Sequence, residues 1–307
     1  MVDIPKLLRL ECSLYVLMAL GFLLRKKGFL DASSEAFLSK LALQIVLPCS
    51  IIKSFLITLT PQLLRQFAVV LLGGAAAMVL QLFTAHFAFR FLPQEQRKVM
   101  KYGLINANNA FLGYPIVEGM YGTPGLTHSS FYMIPVRFSI WTVGMALFAG
   151  EGLKGRAIAK KCLCHPAMIG MYIGVFFMLT QLPMPGFLSD GIHMMAACLS
   201  PMSMLLIGSI LTRVPLRKLL SWKAFYCCFI RLVALPGVLL LGFLICGVSG
   251  LPRNVSVLMI AMPCASITAV MAAQFGSDEQ TAGVIVTLST LLSTITLPLW
   301  GVILELV

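Results

Sequence analysis

The sequence predicts an all-α membrane protein of ten spanning helices, and three observations predict it. Of 307 residues, 59% are hydrophobic and 11% charged, with a mean hydropathy of +0.94; soluble globular domains carry about a quarter charged residues. The apolar residues gather in ten runs of roughly 20, the length that crosses roughly 30 Å of hydrocarbon. The connections between runs are short, and strongly basic ones alternate with nearly charge-free ones. A soluble domain is excluded. So is nucleic-acid binding, despite the +12 balance, because the positive charge sits in short loops between apolar runs.

In chain order, the first span covers about 6–24 and the second about 35–56, with Pro48 at its centre. The third covers about 66–90, the fourth about 101–121, and the fifth, with Pro135 and Arg137, about 129–150. The sixth runs about 165–182, the seventh about 191–212 with Pro201, and the eighth about 222–247. The ninth covers about 253–275 with Pro263, and the tenth about 279–304 with Pro298. The basic start followed by Leu14 to Leu24 imitates a signal peptide. No small-x-small cleavage site follows and the pattern recurs down the chain, so it reads as a retained first span.

Orientation follows from Lys and Arg in the connections. Connections 1–2, 3–4, 5–6 and 7–8 hold fifteen, against two, Arg65 and Arg253, in connections 2–3, 4–5, 6–7 and 8–9. The first set is expected in the cytoplasm and both termini outside. Connection 9–10 carries Asp278 and Glu279 and no base, but acidic residues weigh little in this rule.

The fourth span breaks the pattern. Three of the four Asn in the chain, Asn106, Asn108 and Asn109, fall within four residues, and Gly113 and Pro115 follow. An unpaired amide in hydrocarbon costs several kcal/mol, and broken helices persist there only when buried in protein or lining a wet cavity. The stretch from Asn106 to Gly122 therefore reads as an interrupted span facing a polar site. Spans 2 and 7 each hold a central proline, and spans 4 and 9 each end in an aromatic-Gly pair, Tyr121-Gly122 and Phe275-Gly276. An offset of five spans inverts the second copy, giving expected halves of 1–150 and 165–307 with a site between two broken helices.

Arg137 is a candidate counter-charge for a substrate carboxylate or the partner of Glu118 in a structural ion pair, since a fixed intramembrane cation needs a cavity or a partner. Arg231 ranks below it, lying farther from a marked motif. Lys53, Glu11 and Lys40 read as snorkelling side chains near span ends. Ser266 and Thr268, with Gln44, Ser289, Thr290 and Ser293, offer polar ligands, although hydroxyls commonly bond back to their own helix. His86 reads as a packing residue. Gly170 and Gly174 fit close helix approach and a dimer face. Seven of nine Cys lie inside apolar spans as small hydrophobes; Cys162, Cys164 and His165 lack a second ligand pair and read as a helix end. No metal or cofactor is expected. No catalytic constellation such as Gly-x-Ser-x-Gly or His-Glu-x-x-His appears, which argues against an enzyme.

Four stretches carry a family resemblance across essentially the whole chain: LLRKKGFLDASSEAFLSKLALQIVLPCSII, NNAFLGYPIVEGMYG, CHPAMIGMYIGVFF and AAQFGSDEQTAGVIVTLSTLLSTITLPLW. The chain resembles the auxin efflux carrier family, which includes plant PIN-type carriers and bacterial malate or malonate permeases. The resemblance implies two inverted five-helix repeats, with spans 4 and 9 broken and crossing near the membrane centre. It also implies a scaffold of spans 1, 2, 6 and 7, an elevator-like transport domain of spans 3–5 and 8–10, and a homodimer through the scaffold. Asn108, seven residues before Pro115, matches a substrate-contacting Asn of PIN-type carriers, and Gly113-Tyr114-Pro115 aligns with their Gly-Ile-Pro. Pro263 matches the first proline of the family pattern in span 9, whereas Thr268 stands where plant carriers have the crossover proline. That departure, and the short 5–6 connection, point away from auxin and towards the bacterial type. The expected function is secondary transport of a small organic anion such as a carboxylate across the cell membrane, by an efflux uniporter or an exchanger. Proton or sodium coupling, and a channel or sensor on the same fold, are the alternatives.

Overall fold

The computed structural model describes residues 4–139, 147, 163–212 and 219–307, and among these every regular element is a helix. The helices are α1 (Ile4–Lys26), α2 (Ala32–Phe55), α3 (Pro61–Ala88), α4 (Gln94–Ile105), α5 (Tyr114–Ser139) and α6 (Pro166–Thr180). There follow α7 (Gly186–Leu211), α8 (Trp222–Ile245), α9 (Leu251–Ala261), α10 (Ile267–Gln274) and α11 (Glu279–Leu306). Five of them, α2, α3, α7, α8 and α11, are long and apolar enough to cross a membrane, and α6 and α9 are shorter apolar helices. The expected end of span 5 beyond Ser139, apart from Leu147, and the basic residues Lys154, Arg156, Lys160, Lys161, Arg213, Arg217 and Lys218, with Cys162, lie outside the described residues.

Helix starts follow local chemistry. Asp31 caps α2 by accepting from Ser34 N at 2.7 Å, and Asp278 caps α11 through Thr281 N at 2.8 Å. Thr60 and His165 cap α3 and α6, each followed by a proline in the first turn, where the missing N–H has no intrahelical partner to lose. The helix expected to begin near 129 already includes Thr123, with Pro124 in its first turn after Gly122.

Prolines inside spans free carbonyls four residues back, and other helices supply donors. Pro236 cannot bond to the Leu232 carbonyl, which instead accepts from Trp300 Nε1 at 2.8 Å. Pro298 likewise leaves the Thr294 carbonyl, which accepts from the Tyr15 hydroxyl at 2.9 Å. Spans 2 and 8, read as plain helices, contain widened π turns at Ala42–Val46 and Ile230–Ala234 just ahead of Pro48 and Pro236. Span 7 is interrupted at Cys198, ahead of Pro201.

α5 folds back on itself. Gly122 adopts φ 65° and ψ −158°, which strains any residue with a Cβ. The fold-back brings Tyr114 beside Arg137; a straight helix would hold them roughly 35 Å apart at about 1.5 Å per residue.

Helices touch where glycines allow it. A Cβ at Gly208 would overlap the Met18 carbonyl, and one at Gly21 the Leu205 carbonyl, so α1 and α7 pack backbone to backbone. Gly170 and Gly174 do approach another helix closely, but it is α2 of the same chain: their Cβ positions lie 2.8 Å from Pro48 O and Phe55 Cβ. The neighbour across those two glycines is therefore α2. Gly73 and Gly74 of α3 similarly seat α9 and α5.

Candidate functional site

Two helices end in the middle of the bundle and exchange main-chain hydrogen bonds. After α4 the chain extends through Asn106, Ala107 and Asn108; after α9 it extends through Pro263 and Cys264. Ala107 and Cys264 pair in antiparallel fashion. Asn108 N donates to Pro263 O at 2.8 Å, and Ala265 N to Asn106 O at 2.9 Å. This bridge satisfies backbone groups that the helix breaks expose, which at membrane depth is a requirement. Cys264 N is taken by Ser289 Oγ of α11 at 3.0 Å. The chain then re-enters helical structure at the Asn109–Gly113 π turn leading into α5, and at α10.

The carbonyl ends of α4 and α9 converge on Arg231, which is wholly buried. Its Nη1 donates to Leu104 O at 2.7 Å and its Nε to Met262 O at 2.9 Å. With its amide oxygen facing the guanidinium, Gln81 accepts from Nη1 at 2.8 Å and donates to Ile105 O at 3.3 Å. One guanidinium thus bridges the negative ends of two half-helices, the favourable placement for a cation.

The predicted residues divide around this crossing. Asn106, Asn108 and Asn109 are all buried. Asn109 Nδ2 meets Met133 Sδ at 3.2 Å, while Asn109 Oδ1, Asn106 Nδ2, Thr268 Oγ1 and Arg231 Nη2 make no hydrogen bond among the described residues. Gly113 lets α5 approach α9, its Cβ position lying 3.2 Å from Met259 Sδ. Pro115 sits in the first turn of α5, where it breaks nothing. Pro263 contributes its carbonyl to the bridge. Arg137 is buried beside Tyr114.

Three readings of charge and polarity change. Glu118 pairs with Lys53 at 2.9 Å, not with Arg137, and Lys53 is an ion-pair partner across helices rather than a snorkelling side chain. Arg231, ranked second in the sequence, is the cation at the crossing. Its signal was its place five residues before Pro236, in a widened turn that aims it inward. Ser289 serves the bridge, and Thr290 and Ser293 bond back to their own helix. His86 is exposed.

A cavity of about 270 Å³ lies beside the crossing, lined by Glu35 and Ser39 of α2, Phe111 of the π turn, Ser266 and Ile267 at the start of α10, and Thr287 of α11, among others. Its walls use the first half of α2, which follows the basic connection 1–2, and the first half of α11. Of the predicted site residues, only Ser266 lines it. Glu35, which sequence reading passed over, is buried and accepts from Ser209 Oγ at 3.1 Å.

The chain matches the membrane transport protein family over residues 12–301. It belongs to that family, the auxin efflux carriers. The family is one of transporters, not enzymes. An uncharacterized transporter of Methanothermobacter thermautotrophicus is 26% identical over 296 residues, covering 95% of this chain and 96% of the relative. An uncharacterized transporter of Methanocaldococcus jannaschii is 22% identical over 298 residues, covering 94% and 96%. Family membership and the apolar helices together make this a multi-pass membrane protein.

Proposed function

We propose that this member of the family is a ten-span secondary transporter moving a small carboxylate between the two faces of the cell membrane by uniport or exchange. The observation that carries the reading is the crossing itself. Both carbonyl ends there are occupied by Arg231 and Gln81, which leaves the amide ends of the π turn and α10 as the outward-acting dipoles, and these favour an anion. In this reading Asn106, Asn108, Asn109, Gly113, Pro115, Pro263, Ser266 and Thr268 shape the site. Arg137 and Arg231 supply positive potential, and the cavity reaching Ser266 is the path from the basic side.

The proposal includes the inverted halves and termini on the outside. It also includes a scaffold of α1, α2, α6 and α7 against which the remaining helices move as an elevator, and a homodimer. The bond pair joining residues 106 and 108 to 265 and 263, and the positive φ at Gly122 and Gly276, support two related halves. Glu35 on the cavity wall favours one second reading, cation-coupled symport, because a carboxylate there would hold a proton or Na⁺ while the substrate passes.

Flux in proteoliposomes tests the proposal. Saturable exchange of a mono- or dicarboxylate is expected, with Asn108→Ala and Arg137→Ala each lowering it by more than about tenfold, the loss of about 1.4 kcal/mol of site interaction, at unchanged expression. Unchanged flux in both variants removes the site assignment. A binding signal without flux would make the protein a sensor.

A further inference from the structure

α2 meets its neighbours differently at its two ends. Its first half, as far as Leu43, is held away from α10 and α11 by the cavity. Its second half is clamped to α5: Lys53 Nζ donates to Glu118 Oε1 at 2.9 Å, the Thr127 hydroxyl donates to the Ser54 carbonyl, and Phe55 meets Phe131 edge-on with centroids 5.4 Å apart. Phe131 stacks in turn on Phe67 of α3 at 4.1 Å. The two charged side chains keep 24% and 23% of their exposure. Lys53 stands in the last turn of α2 and Glu118 four residues before the Gly122 turn, which places the pair near the rim of the bundle, where an ion pair adds little to fold stability and breaks without stranding either charge in hydrocarbon.

We propose that Lys53 and Glu118 form the releasable latch of the gate on the side away from the basic connections, closed while the cavity is open and broken when the cavity closes. The inference rests on the transport reading above. The site and the gate are separate places: the crossing recognises the solute, and the latch biases which face it sees. Losing the pair favours the state in which α2 and α5 have parted, so the population with an open cavity falls.

The experiment uses full-length protein in liposomes carrying Ser39→Cys on the cavity wall. Labelling of position 39 by a membrane-impermeant maleimide is read by peptide mass spectrometry, so native cysteines do not interfere, and carboxylate exchange is measured alongside. Lys53→Gln and Glu118→Gln are each expected to slow labelling roughly threefold, as losing a rim ion pair shifts a two-state population. The exchanged pair, Lys53→Glu with Glu118→Lys, is expected to restore the parental rate to within about twofold, since the attraction is reinstated with its sense reversed. Parental labelling in both neutralised forms, or an exchanged pair that labels as they do, overturns the latch. Should the neutral forms fail to fold, Glu118→Asp takes their place: slower labelling is expected and parental labelling overturns the proposal. Absent flux in the unsubstituted protein strikes the transport reading, whereas normal flux there with insensitive labelling of the Ser39→Cys forms strikes the latch alone.

Discussion

Arg231 shows what a single residue does at membrane depth. Its two bonds to Met262 O and Leu104 O are made to carbonyls with no helical donor left to them, and each orphaned buried group costs about 1–3 kcal/mol. Arg231→Met is therefore expected to destabilise the protein by about 2–5 kcal/mol, read as a lowered unfolding midpoint in detergent. Arg231→Lys, which keeps the charge but has no fork to reach both carbonyls, should fall between Met and the parent. Outside the bilayer, Asp31 gives a pH signature. Bonds from the side chain and N–H of Ser34, then from Ser33, lower its pKa from the ordinary 3.8 to about 2. A carboxylate held below its unfolded value stabilises the fold above that value, and the contribution is lost as pH falls through the folded one. Asp31→Ala should thus be less stable than the parent at pH 7, with the difference shrinking between about pH 4 and 2 in acid-unfolding curves. The cluster of three Asn was legible because amides are rare in apolar spans. The choice between Arg137 and Arg231 was not, because both are intramembrane cations in the sequence and only the packing of α8 against α4 and α9 decides which one meets the carbonyl ends.

At the scale of the element, the prolines were readable and their remedies were not. Pro236 and Pro298 announce that the Leu232 and Thr294 carbonyls lack donors, but Trp300 and Tyr15, which supply them, come from distant parts of the chain. Span boundaries moved for similar reasons: the helix read as beginning near 129 starts several residues earlier because Pro124 favours a first turn. Glycines decide which helices touch. Gly208→Leu would drive a side chain into the Met18 carbonyl of α1, and overpacking of that kind costs about 1–3 kcal/mol or more. Its expected outcome is a lower thermal midpoint, while Gly242→Leu, at a position open to its surroundings, should leave the midpoint unchanged. The small-residue spacing at Gly170 and Gly174 correctly marked a close approach; its partner, α2, was invisible because sequence spacing names a face and not what lies across it.

For the molecule as a whole, the membrane potential separates uniport from coupling. Moving one negative charge across 100 mV changes its free energy by about 2.3 kcal/mol, close to fiftyfold in concentration ratio at about 1.4 kcal/mol per decade. A uniporter of a monoanion should therefore let an imposed potassium-diffusion potential drive the anion towards the positive side by about that ratio. One-to-one symport with a proton should show no such response. Liposomes with valinomycin and a labelled monocarboxylate measure the difference.

The sequence by itself determined an apolar, all-helical membrane chain with an interrupted fourth span, because hydropathy, proline positions and clustered amides are local properties that survive without coordinates, while four motif stretches carried its resemblance to the auxin efflux carriers. Only the tertiary structure decided that α4 and α9 exchange backbone hydrogen bonds, that Arg231 holds their carbonyl ends, that Glu118 belongs to Lys53, and that Glu35 and Ser266 share a cavity. Each of these joins residues far apart in the chain, and at such range the partner is chosen by which buried donor the packed helices bring to a given acceptor.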